Sequence, residues 1–126
     1  MVQLNENNII DRFLESISEV KQIYEDEIEW WDGEFPGLHN IFGNILNPYL
    51  ANLLREDTNV GLLKRIFDFL EDMATCNDKN IKNVLAVTIL ENIGDDKKIL
   101  KTAIKYMGTY TKNLSEEIEK ALGRKK

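Results

Sequence analysis

Apolar residues recur at three- and four-residue steps along almost the whole chain, while alternation at period two is nowhere sustained. That spacing gathers apolar side chains on one face of an α-helix, so the chain reads as all-α. A first helix is predicted from about Asn8 to Glu25, with Ile10, Phe13, Leu14, Ile17, Val20 and Tyr24 on one stripe. From Asp26 to Gly37 the stripe is lost, and Gly33, Pro36 and Gly37 predict a turn or loop. A second helix is expected from about Leu38 to Arg55. Pro48 lies inside it, so it should be either kinked or split near Asn47.

A third helix is predicted from about Thr58 to Thr75, with Asp57 or Thr58 as its cap, and Asn77 and Asp78 then make a tight polar turn. The fourth, about Lys79 to Ile93, is apolar on nearly every side from Val84 to Leu90 and should be central. Gly94 reads as a left-handed C-cap, with Asp95 or Asp96 starting a fifth helix that reaches about Met107 and ends at Gly108 in the same way. A last helix is expected from about Ser115 to Leu122, with Ser115, Glu116 and Glu117 at the positive end of its dipole. About six helices joined by short turns predict antiparallel hairpins, arranged like a HEAT or other α-solenoid fragment.

Length and composition narrow the function. A chain of 126 residues, 43% hydrophobic and 30% charged, fits one globular domain. Its longest apolar stretch, from Val84 to Leu90 with Thr88 inside it, is far short of the roughly 18 residues of a membrane span. The start, MVQLNENNII, lacks the basic and apolar segments of a secretory signal, so a cytoplasmic protein is expected. The net charge of −6 is unevenly spread: residues 1–63 hold 12 acids and 3 bases, residues 64–126 hold 10 acids and 13 bases. The first half would repel phosphate, and nucleic acid is not an expected partner. A membrane is not expected either.

The residues able to carry chemistry are few. Cys76 and His39 are the lone cysteine and histidine. Neither has the neighbours of a nucleophile and base, and one cysteine with one histidine cannot make a structural zinc site. Cys76 beside Asp78 reads as structural, and His39 as a capping or half-buried residue. Neither a G-x-G-x-x-G run nor a P-loop occurs. No catalytic residue, metal or cofactor is therefore expected.

The sharpest local feature is EDEIEWWDGEF, where Glu25, Asp26, Glu27, Glu29, Asp32 and Glu34 put six carboxylates within ten residues, around Trp30 and Trp31 and ahead of Phe35. Carboxylates beside large aromatics suit a basic protein partner, because tryptophan is enriched among interface anchors and opposite charge speeds encounter. A solvated helix end with one tryptophan plugging the core fits the same residues. Calcium is disfavoured, because Gly33 does not fall at the sixth position of a D-x-[DN]-x-[DN]-G loop. Lys97, Lys101 and Lys105, four residues apart, form a basic counterpart next to Lys98, and the GRKK tail adds three more bases.

The segments LLKRIFDFLEDMA, NVLAVTILENIGDD and KYMG, within roughly residues 58–123, resemble a family of small acidic helical bacterial proteins. Members of that family are met beside polymorphic or contact-dependent toxin genes. The resemblance implies an immunity protein that binds and neutralises a cognate toxin domain, and no site residue is carried over from it. A nuclease would suit the charge, since carboxylates can lie where substrate phosphates would. A monomer is expected before complex formation. The alternative is a helical-repeat scaffold or adaptor in a regulatory complex.

Overall fold

The computed structural model describes residues 3–124, and the fold is all-α, with no strand among them. Seven helices follow in order: α1 (Ile9–Ser16), α2 (Lys21–Trp30), α3 (residues 38–56), α4 (Val60–Thr75), α5 (residues 79–94), α6 (Lys97–Ile104) and α7 (Thr109–Ala121). None is long and apolar enough to cross a membrane.

The first apolar stripe is broken where the sequence shows it continuous. Ile17 leaves the helical region at φ −129° and ψ 67°, and a 3₁₀ turn, Ser18–Val20, joins α1 to α2. The break turns both Ile17 and Val20 fully into the core. It also redirects the Val20 N–H to the Ile17 carbonyl, and the freed Ser16 carbonyl accepts from Arg65 of α4 at 3.2 Å. The same guanidinium pairs with Glu19, holding that carboxyl below its usual range and pinning the break. Arg65 thus supplies the Ser16 carbonyl with the donor that the Val20 N–H no longer provides.

Pro48 does not interrupt its helix, which instead changes from a π turn back to α at Asn47. α3 runs unbroken because Phe42–Leu46 widens to a π turn, in which the Asn47 N–H reaches the Phe42 carbonyl five residues back. The wider turn accommodates a proline that cannot donate. α5 carries a second π segment, Val84–Leu90. The two π segments cross at Gly43 and Thr88, where a Cβ on Gly43 would lie 3.3 Å from the threonine methyl. Asn47 donates to the Thr88 carbonyl at 2.9 Å, and His39 Nδ1 hydrogen-bonds the Thr88 hydroxyl.

Around this crossing the helices enclose one core. Phe13, Phe42 and Phe69 meet at ring distances of 4.8, 5.7 and 6.4 Å and join α1, α3 and α4. Val84, Leu85, Ile89 and Leu90 make α5 the largely buried helix its sequence predicts, although Val87 is exposed. α3 also packs on α6, and α7 on α4 and α5. Cys76 is buried, its Sγ donating to the Met73 carbonyl at 3.2 Å.

Several predicted ends move. Asn59, not Asp57 or Thr58, caps α4. Asp57 instead closes α3 in the left-handed region at φ 47° and receives Lys105 at 2.7 Å, together with the Tyr106 hydroxyl. Asp78 and Asp96 cap α5 and α6. Gly94 and Gly108 are not left-handed caps: Gly94 is helical and buried, Gly108 is extended, and each lies against a carboxylate. Glu119 sits over Gly94 and pairs with Arg124 at 2.6 Å. Glu71 sits over Gly108 and accepts from the Tyr110 N–H, the Thr111 N–H and the Thr111 hydroxyl. Glu71 is thus the cap of α7, supplied from α4. It lets α7 begin at Thr109, which leaves Ser115, Glu116 and Glu117 mid-helix rather than at the positive end.

Candidate functional site

The acidic, tryptophan-bearing segment is helical for more of its length than its sequence suggests. α2 continues through Glu25, Asp26, Glu27, Ile28, Glu29 and Trp30, so only residues 31–37 form the turn and loop. Asp32 and Gly33 reverse the chain at φ 51° and 88°. Gly33 supplies a left-handed conformation that side chains resist. Tyr24 and Ile28, half-buried, hold α2 to the core, and no residue of α2 is fully buried.

The two tryptophans divide the roles that their sequence leaves open. Trp31 is half-buried, and its Nε1 donates to Glu27 at 2.7 Å. The same Glu27 oxygen accepts from Asn44 at 2.9 Å, which ties the end of α2 to the π turn of α3. Trp30 is 75% exposed and stands edge-on to Trp31 with ring centroids 5.2 Å apart. Phe35 is 61% exposed. Keeping Trp30 in water forgoes roughly 2 kcal/mol that burial of so large an apolar side chain would supply.

The carboxylates are placed against local helix stability. Glu27 and Glu29 occupy the last turn of α2, which contains no basic residue and is the negative end of the helix dipole. Each acid there is disfavoured by about 0.3–1 kcal/mol. Glu25 and Glu29 repel each other at i, i+4. Glu25, Asp26, Glu29, Asp32 and Glu34 are exposed, and none makes an ion pair among the described residues. Asp26 accepts only a neutral amide hydrogen bond, from Gln22 at 3.0 Å. Of the predicted contact residues, the structure thus leaves Trp30, Phe35 and five carboxylates facing solvent, and takes Glu27 and Trp31 into an internal network. Among the described residues no group of three His, Cys, Asp or Glu side chains converges to hold a metal ion.

The family described as Domain of unknown function (DUF7674) matches residues 10–123, which takes in the acidic end, both π segments and α7. The chain belongs to that family. No curated protein sequence and no solved structure is matched by it.

Elsewhere in this DUF7674 domain, the predicted lysine line on α6 is only partly free. Lys105 pairs with Asp57, while Lys97 and Lys101 are exposed. Arg124 of the tail is drawn onto Glu119 and Asp95, and Lys125 and Lys126 lie outside the described residues. His39 is exposed rather than half-buried. Asn44, which meets the acidic end through Glu27, and Asn47, which binds the Thr88 carbonyl of α5, belong to no motif in the sequence. Their one signal was the spacing of Asn40, Asn44 and Asn47, which sets three amides along one helical face.

Proposed function

We propose that this chain is a protein-binding module whose acidic end, from Glu25 to Phe35, docks on a basic protein surface, and that the partner is a cognate toxin domain. The observation that carries the reading is Trp30, three-quarters exposed among five carboxylates without a cation. An exposed tryptophan within a single-sign field has the form of an interface anchor with a charged rim. The negative potential would steer a basic protein to this end, and a nuclease cleft built to hold phosphate is the surface it fits best. The resemblance of residues 58–123 to immunity proteins points to the same class of partner. Neutralisation would then follow from occlusion, with carboxylates standing where substrate phosphates bind and no chemistry required of this chain.

The test is to express the small toxic domain encoded beside this chain's gene, with and without this protein. Growth should be restored by co-expression. A toxic domain that stays fully lethal, or the absence of any such neighbour, would overturn the reading.

A further inference from the structure

A groove runs between α3 on one side and α5 and α6 on the other, and none of the exposed aromatics lines it. At the α3 end it opens as a cavity of about 540 Å³ lined by Gly43, Asn44, Asn47, Ala51, Asn52 and Asn92, among others. It continues through Asn47, Ala51, Arg55 and Asn92 into a cavity of about 190 Å³ bounded by Leu50, Ile93 and Ile99. Arg55, Asp96 and Ile99 then lead into a last cavity of about 230 Å³. From Asn44 to Arg55 the axis of α3 rises about 16 Å at 1.5 Å per residue. That is the length of about five residues of extended chain.

The groove is lined by four amides, three of which are oriented by internal bonds. Asn44 spends its Nδ2 on Glu27 and Asn47 spends its Nδ2 on the Thr88 carbonyl, so each keeps an unengaged acceptor oxygen. Asn52 spends its Oδ1 on Arg55 at 3.1 Å and keeps two donor hydrogens. Asn92 makes no side-chain hydrogen bond among the described residues and offers both. Acceptors and donors therefore stand along one groove, in set orientations at Asn44, Asn47 and Asn52. In the middle cavity a phosphate would find a single cation, Arg55, beside acceptor oxygens and the carboxylate of Asp96, with Asp95 already paired to Arg124. A peptide backbone, which brings one N–H and one C=O per residue, finds partners for both. Ala51 presents only a methyl to it, and Leu50, Ile93 and Ile99 form an apolar recess for one of its side chains.

We infer that this groove is a second binding site, which takes a segment of about five residues of extended polypeptide and recognises it mainly through its backbone. Asn44 lies at the groove's mouth and is bonded to Glu27 of the acidic end. A single partner could therefore engage both surfaces, although the groove needs no charge on its occupant.

The test is to select peptides from a random dodecapeptide display library on the whole protein, then titrate a selected peptide while recording side-chain amide resonances. The resonances of Asn44, Asn47, Asn52 and Asn92 should shift. Asn52→Ala and Asn92→Ala, at exposed positions, should keep the wild-type melting temperature and weaken binding at least tenfold. N-methylation of the peptide's central backbone should abolish binding. The inference is overturned if no peptide is selected, if shifts map to another face, or if the alanine variants or N-methylated peptides bind as well as the originals. Maltohexaose shifting the same amides where peptides do not would overturn it in favour of a carbohydrate.

Discussion

Trp31 donates its indole N–H to Glu27 at 2.7 Å, and that bond separates the roles of two tryptophans adjacent in sequence. Trp31 belongs to the framework, while Trp30, with three-quarters of its surface in water, belongs to the surface. Trp31→Ala is expected to cost about 1–3 kcal/mol, from the lost half-buried ring and from a carboxylate deprived of a donor. Trp30→Ala should stay within about 0.5 kcal/mol of the wild type, as surface substitutions usually do. Urea denaturation of the two variants checks the difference. Equal losses would show both rings to be framework.

Gly94 should resist alanine for a reason unrelated to backbone freedom. In an ordinary helix, Gly→Ala gains about 0.5–1 kcal/mol. Here the new Cβ would lie 2.2 Å from a Glu119 oxygen and 2.5 Å from Arg124. Those atoms end flexible side chains and can move, but moving them breaks the Glu119 to Arg124 pair at 2.6 Å. Gly94→Ala is therefore expected to destabilise by about 1–2 kcal/mol, the opposite sign. Combined with Glu119→Ala the penalty should shrink, and a double-mutant cycle by thermal melting measures that coupling.

Acid should loosen the joint between α4 and α7 at Glu71. Burial pushes the Glu71 carboxyl up, but the Thr111 N–H and hydroxyl and the Tyr110 N–H outweigh it and hold the carboxyl below its usual range. Because the folded value is lowered, its stabilising contribution is present above the unfolded carboxylate value. It is lost as pH falls through the folded one. Glu71→Gln should lower stability at neutral pH and flatten the acid limb. Glu19 beside Arg65 and Asp57 beside Lys105 are also held low, so a smaller limb remains. Denaturant midpoints from pH 7 to pH 3 check this, and an unchanged limb would place the acid-sensitive group elsewhere.

Periodicity alone located the helices, because burying an apolar stripe is what stabilises each one and that stripe is written in consecutive residues. It missed features that depend on a distant partner. The Ile17 break relies on Arg65 to satisfy a carbonyl, and α7 starts six residues early because Glu71 arrives from another helix to cap it. Gly94 and Gly108 looked like caps by position, yet the bulk of Glu119 and Glu71 explains them. Within the candidate site, residue identity pointed to the acidic, aromatic end. The division between Trp30 and Trp31 was not legible, since it turns on Asn44 holding Glu27 in place from across the π turn.

The most direct measurement is the binding kinetics of the proposed partner, a toxic domain encoded beside this chain's gene, to wild type, to Trp30→Ala and to the combined Glu25→Gln, Glu29→Gln, Asp32→Asn and Glu34→Gln variant, over a range of salt. Trp30→Ala should melt like the wild type, associate at the same rate and dissociate faster, losing about 2 kcal/mol or more of affinity. The charge variant should associate more slowly and lose most of its salt dependence while dissociating little faster. If both variants bind with wild-type rates at every salt concentration, or the domain is not bound at all, the acidic end is not the interface.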